Sequence, residues 1–367
     1  EGGLLADVVE KHPYLKGCAA LSVPHDVHAR ALCRRQLALS LEGPDGEVLD
    51  CTGVQLGALL DDLFAYLGPL GCFPTSVEEN QDTKRPRYGG AFRRTRSAVP
   101  EESNGVTLAM WSPAAQEVSV NFYDGPQGEK IETVAMERSN DGVWRARGSA
   151  MWWDRYYTYQ VKAFHPQAKG VVSMETPDPY SRACSADSAR TLACHLPVCV
   201  EAVPGGNVLE WQGTKRPEFS DRGRAVVYEL HIRDFSAMDE SVPADRRGKY
   251  LAFEEEGTCG DLHLRKLAAA GLTHVQLLPN YDFGSVPERQ ENQRQPVIPD
   301  GLAPDSEAQQ AAAVEAADTD AFNWGYDPVL YDVPEGSYAS DPDGLVRVLE
   351  HRRMVAALHK KGLRVVV

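Results

Sequence analysis

The sequence predicts a multidomain chain: a β-rich amino-terminal module, then a β-sandwich, then an α/β unit on parallel strands. Three observations carry this expectation. Short alternating stretches recur at regular spacing between residues 104 and 200, each closed by turn residues, as in antiparallel sandwiches. From residue 222 the period changes, and strand-like runs alternate with helical stretches, the pattern of βαβ units. At 367 residues the chain has the length of about two to three domains.

The first segment, 1–73, opens with the apolar run Ala19 to Val23, followed by Val27 to Leu41, a helix running on into a strand. Gly43 to Gly46 holds Pro-Asp-Gly between two apolar runs, a hairpin signal. Val48 to Val54 and the run Leu56 to Leu67 follow, closed by Gly68-Pro69. A polar linker, 74–103, carries the one basic cluster, Lys84 to Arg96, which reads as a solvated stretch.

The second segment, 104–200, places strands at Val106 to Trp111, Val118 to Tyr123, Val143 to Arg147 and Tyr156 to Ala163. Turn signals at Ser112-Pro113, Asp124-Gly125-Pro126 and Asn140-Asp141-Gly142 separate them. Trp111, Trp144, Trp152, Trp153, Tyr156 and Tyr157 lie along it. Aromatic residues in a sandwich mostly pack between the sheets, and a surface sugar platform is the other use open to them. A linker, 201–221, leads to the third segment.

In 222–367 the expected order is strand Ala225 to Ile232, helix Thr258 to Ala270, strand Thr273 to Leu278, helix Gly344 to Lys361 and strand Leu363 to Val367. Thr258 with Asp261 forms a capping-box signature, and Gly271 and Gly362 stop the helices. Leu345, Val348, Leu349, Val355 and Leu358 share one helical face. Ligands of parallel sheets bind at the carboxyl ends of the strands. Glu229, His231, Arg233 and Asp234 close the first strand at that end, where they read as an internal hydrogen-bonded cluster or as site residues.

A polar segment of roughly sixty residues leaves the second strand there, and connections longer than about fifteen residues usually carry function or are disordered. It contains Phe322-Asn323-Trp324-Gly325-Tyr326-Asp327-Pro328. Aromatic faces suit the C–H faces of a sugar ring, and Asn and Asp can hold its hydroxyls. Composition alone leaves a second reading open, in which Trp324 and Tyr326 plug the loop onto its own domain.

The net charge of −15, from 53 acidic and 38 basic side chains, opposes nucleic acid and anionic lipid as partners. No apolar run approaches the roughly eighteen residues of a membrane span. Eight dispersed cysteines are too sparse for a disulfide scaffold. Cys184, Cys194, His195 and Cys199 lack a paired C-x-x-C knuckle and read as ordinary thiols rather than a zinc site.

Several stretches together resemble the limit dextrinases and pullulanases, starch-debranching members of glycoside hydrolase family 13. They are Val227 to Ser236 (VYELHIRDFS), His263 to Val275, Leu277-Leu278-Pro279, Asn323 to Leu330 and Pro334 to Gly344. Leu108 to Ala115 resembles a carbohydrate-binding module of family 48, and Gly53-Val54-Gln55-Leu56 to Gly71 extends the likeness into the amino-terminal module. The resemblance implies that the third segment forms the first three strands of a (β/α)8 barrel. It also implies hydrolysis of α-1,6-glucosidic links in limit dextrin, amylopectin or pullulan.

In the family the motif tyrosine stacks on the sugar beside the scissile bond, a role that falls on Tyr326, with Asn323, Trp324 and Asp327 shaping or lining the subsite. Phe322 departs from the usual Tyr and lacks its hydroxyl. Calcium is often present in the family and is carried over only as an implication, since no ligand cluster is legible. By the same likeness the compartment is the plastid for a plant or algal source, and the periplasm or cytoplasm for a bacterial one.

The family's Asp and Asn-His pair after the third strand, its nucleophilic Asp, acid/base Glu and second Asp have no counterpart among these residues. Retaining hydrolysis needs two carboxyl groups about 5 Å apart. The chain alone is therefore expected to be an inactive amino-terminal fragment of such an enzyme, with no catalytic residue of its own. An isoamylase-type or branching enzyme and a non-catalytic glucan-binding protein are the alternatives.

Overall fold

The computed structural model describes residues 2–3, 6–20, 28–75, 105–196, 211 and 213–367. The basic cluster Lys84 to Arg96 and Cys199 lie outside them. In the amino-terminal segment, β1 (Gly2–Gly3) pairs with β2 (Ala19–Ala20). β3 (Ala38–Glu42) and β4 (Val48–Gly53) form an antiparallel hairpin across the Gly43–Gly46 turn. Both hairpin strands are exposed throughout. The segment anchors instead through Phe64, just past the Gly57–Leu63 helix. Its ring is buried, with the guanidinium carbons of Arg30 and Arg138 at 5.1 and 5.2 Å from the ring centre. Its carbonyl accepts a hydrogen bond from Trp111 Nε1 at 2.9 Å.

The sandwich has two antiparallel sheets. One is ordered β5 (Gly71–Pro74), β6 (Val106–Trp111), β10 (Val143–Gly148), β9 (Glu137–Arg138). The other runs β12 (Gly170–Thr176), β11 (Tyr156–His165), β7 (Glu117–Tyr123), β8 (Lys130–Ala135), with β13 (Thr191–Leu192) also on β11. Alternate residues of both sheets meet in one core: Val106, Leu108 and Met110, Val118, Val120 and Phe122, Trp144 and Ala146, Tyr157 and Tyr159. β5 places a sandwich strand inside the segment read as amino-terminal. Phe73, the last residue of that segment, goes into a core with Ala109 and Val143 of the sandwich.

The third segment is built on three parallel strands, ordered β14 (Val227–Leu230), β15 (His274–Leu277), β18 (Arg364–Val366). The helices Cys259–Ala269 and Val346–Lys360 connect them. Thr258 Oγ1 accepts from the Asp261 backbone N–H at 3.2 Å, the cap its sequence signals. Leu264, Val275, Leu277, Met354, Leu358 and Leu363 form the core between sheet and helices.

The polar segment after β15 is not a bare loop. It folds on itself through β16 (Tyr281–Phe283) and β17 (Pro328–Pro334), an antiparallel ribbon, and includes the Ala308–Ala316 helix. β17 begins and ends with proline, which cannot donate to a ladder and is confined to edges and strand ends, so its sequence argues against a strand.

The segment linking β12 to β13 hooks the sandwich onto this unit. Cys184 O accepts from Gly344 N at 2.8 Å, and Ala186 N donates to Asp343 Oδ1 at 2.8 Å. Ser188 Oγ donates to Asp282 Oδ2 at 2.5 Å. Among the described residues, no helix is long and apolar enough to cross a membrane.

Candidate functional site

The stretch 322–328 lies where β15, β16 and β17 converge. Gly325 sets its path, with φ +72° and a position against Pro279 where an added Cβ would come within 2.9 Å of the Pro279 Cβ and 3.0 Å of its carbonyl oxygen. Only glycine meets both conditions without strain. Asp327 ties the far side of the loop to the chain after β16. Its backbone and side-chain oxygens accept from Gly284 N, each at 3.1 Å, and its Oδ1 accepts from Ser285 Oγ at 3.2 Å.

Asn323 is the inward anchor. Its buried Oδ1 accepts from Tyr338 Oη at 3.0 Å and lies 3.1 Å from His231 Nε2, and its Nδ2 donates to Ala321 O at 3.1 Å. His231 Nδ1 accepts from the Asp234 backbone N–H at 3.2 Å, which places the imidazole proton on Nε2, facing Asn323. Tyr338 is held between the rings of His231, Tyr250 and Phe283, and burial, with Glu335 nearby, pushes its phenol well above the usual tyrosine range. Every polar group of the Asn323 side chain is thus engaged inside the protein.

The rings on either side point the other way. Phe322, Trp324 and Tyr326 are 60%, 64% and 66% exposed. Among the described residues Trp324 and Tyr326 therefore do not plug the loop: Asn323 and Gly325 seat it, and the two rings stand on its outside. A polar cleft of about 680 Å³ reaches the start of the loop at Ala321 and is lined by Tyr338, by the cations Arg233, Arg247, Lys249 and Arg289, and by the carboxylates Glu288, Glu291 and Asp341. An apolar hollow of about 480 Å³ lies beneath Phe322, Val314 and Pro296. Exposed rings on a loop whose start reaches a groove of hydrogen-bonding side chains can take a ligand with apolar faces and many hydroxyls.

Of the four polar residues after β14, His231 joins Asn323 directly. Glu229 accepts from Gln276 Nε2 at 3.2 Å on the neighbouring strand, and Arg233 Nη1 donates to Asp234 Oδ1 at 2.7 Å. Of the sandwich aromatic residues, Trp144, Trp152 and Tyr157 are buried, and Trp111, Trp153 and Tyr156 are partly so.

Sequence reasoning missed the most deeply buried polar group of the region. Arg347, fully buried, donates to Asp282 Oδ1 at 2.9 Å, Glu288 Oε2 at 2.6 Å and the carbonyl of Pro342. Glu335 lies beside them and accepts from Phe283 N at 3.1 Å and Ser337 N at 2.9 Å. Burial pushes the Glu288 carboxyl up to about 7 against the pull of Arg347, and burial with Glu288 nearby pushes Glu335 well up.

Asp282, Glu288 and Glu335 offer oxygens within 4.8 Å of one another, and among the described residues this is the one group of metal-ligating geometry. It does not fit calcium. The guanidinium already supplies the cation, and the oxygens that would make up a shell of six to eight are spent on Asp187 N, Gly336 N, Phe283 N, Ser337 N and Ser188 Oγ. Cys184 and Cys194 fall in separate buried clusters rather than around a zinc position.

Comparison with known proteins adds a second line of observation. The Pullulanase N2 domain model matches residues 1–62, and the carbohydrate-binding module 48 (isoamylase N-terminal domain) model matches 95–181. The chain is 39% identical over 370 residues to Pullulanase 1, chloroplastic, of Arabidopsis thaliana, which takes in 100% of this chain and 35% of the relative. The chain is pullulanase-like throughout.

Against the pullulanase of Klebsiella pneumoniae it is 29% identical, across 97% of this chain and 34% of the relative. A crystal structure of a pullulanase from the same bacterium in complex with maltotriose matches with a TM-score of 0.82 at 28% identity, covering 99% of this chain and 40% of that one. The pullulanase-like chain therefore spans about a third of the length of these curated relatives.

Proposed function

We propose that this chain is part of an α-glucan-debranching hydrolase acting on α-1,6 links in limit dextrin, amylopectin or pullulan, and that its own share of the work is to hold the glucan. The observation that carries the reading is the loop geometry: Trp324 and Tyr326 stand exposed on a backbone fixed from behind by Asn323, Gly325 and Asp327. The pullulanase likeness and the maltotriose complex of a relative support it. Tyr326 stacks on one sugar ring, Trp324 flanks it, and Asn323 and Asp327 shape the subsite. The parallel strands β14, β15 and β18 are the first three of a (β/α)8 barrel, whose carboxyl-end loops form the site.

Retaining cleavage needs two carboxyl groups about 5 Å apart facing the scissile bond. The close carboxylates around Arg347 are buried and closed to a substrate. The described residues therefore account for binding rather than for bond cleavage.

Incubation of the full-length protein with pullulan tests the reading. New reducing ends, with maltotriose as product, are expected. Transfer of glucan chains without new reducing ends would mark a branching enzyme, and binding without either reaction a non-catalytic glucan-binding protein.

A further inference from the structure

The ribbon that carries the loop also carries a second pair of rings. Gly325 packs on Pro279, two residues before Tyr281, and β17 starts at Pro328, three residues before Tyr331. Along β17, Leu330 and Val333 turn into the protein, whereas Tyr331 turns out and is 72% exposed. Tyr281 stands behind it on β16, with ring centres 5.2 Å apart and planes inclined at 59°. The pair adjoins the loop electrostatically as well. The Tyr281 phenol is pushed up first by burial and then by Tyr331, Tyr326 and Asp327, so the three hydroxyls and that carboxylate share one neighbourhood.

We infer that Tyr331, braced by Tyr281, is a further contact for an α-glucan chain, taking glucose units beyond those held at Trp324 and Tyr326. The inference rests on the reading of that loop as a glucan contact and extends it along the ribbon. An exposed tyrosine with only two side-chain torsions, its ring packed at a tilt against another ring, offers a surface held in place, so little ordering entropy is lost on binding. A glucose unit presents apolar C–H faces to such a ring and hydroxyls to its rim. Continuity selects the occupant, because β17 with Tyr331 follows directly from the loop that carries Trp324 and Tyr326, and Tyr281 adjoins both Tyr326 and Tyr331, so a chain of sugar units rather than a single one is the ligand that can engage both.

Calorimetric titration of the full-length protein with maltotriose and with maltoheptaose tests this. In the Tyr331→Ala variant the preference for maltoheptaose over maltotriose is expected to fall about three- to tenfold. Tyr331→Phe, which keeps the ring, should retain the preference. Arg182→Ala, which removes the exposed ion pair to Asp332 and leaves both rings in place, should retain it too. An unchanged preference in Tyr331→Ala, or an equal loss for both sugars, overturns the inference. Trp324→Ala with Tyr326→Ala in the same series tests the reading beneath it separately, since those variants should lose maltotriose itself.

Discussion

The loop 322–327 and the cluster around Arg347 lie some twenty residues apart in sequence and draw on the same chemistry of carboxylates, hydroxyls and aromatic rings. They differ in where their bonding capacity is spent. Around Arg347 the donors and carboxylates close on one another out of reach of solvent. In the loop only Asn323 and Asp327 are engaged inward, and the rings of Trp324 and Tyr326 remain uncovered. A polar cluster closed on itself holds modules together, whereas a fixed backbone with exposed ring faces is what the proposed glucan contact requires. Charge and aromatic content alone do not separate the two roles, but burial does.

The largest expected effect lies on the buried side. Arg347→Ala leaves Asp282, Glu288 and Glu335 facing one another without a cation, and removal of one partner from a buried pair costs about 3–5 kcal/mol. Urea denaturation should show that loss, and the hook through Cys184 to Ser188 should become open to protease. Binding should change only as far as the fold does.

The same cluster gives a pH dependence. Glu288 has its folded value raised to about 7 from the ordinary 4.5, so the native state holds the extra proton in that interval, and this group's contribution to stability falls as pH rises between those values. The melting temperature of the parent relative to Glu288→Gln should therefore drop from pH 5 to pH 8. A difference that stays flat from pH 5 to pH 8 would show that the carboxyl is ionised throughout.

Smaller effects belong to the loop and the helices. Gly325→Ala meets a positive φ and the Pro279 contact together, and should cost more than the roughly 1 kcal/mol of an ordinary left-handed site. Sugar binding should weaken with it, because the path of Trp324 and Tyr326 depends on that residue. Thr258→Ala removes a helix cap and should cost about 1 kcal/mol by thermal denaturation with no change in binding.

The sandwich strands with inward-facing alternation, the hairpin at Gly43–Gly46, the Thr258 cap and the strand–helix alternation after residue 222 were legible because each rests on local spacing. β8 and β12 were not, since both run largely exposed and lack an apolar face. β16 was hidden by its shortness and β17 by the prolines at its ends. The loop itself stood out through its ring and amide content, but its anchor did not, because Asn323 meets His231 from 92 positions away. Arg347 sits beside Val348 and Leu349 inside the buried arc of its helix, and a charge in such an arc was the one signal that could have drawn notice. Its partners come from three separate stretches, which no local pattern reveals.

The most direct test of a ligand-ready loop set against a structural cluster is one paired measurement on Trp324→Ala/Tyr326→Ala. Maltotriose affinity and melting temperature are read on the same full-length sample. Affinity should fall by at least about tenfold, about 1.4 kcal/mol, while stability stays within about 0.5 kcal/mol of the parent, as for exposed side chains. Unchanged affinity, or a loss of stability as large as that of Arg347→Ala, would contradict the assignment of these rings to the glucan.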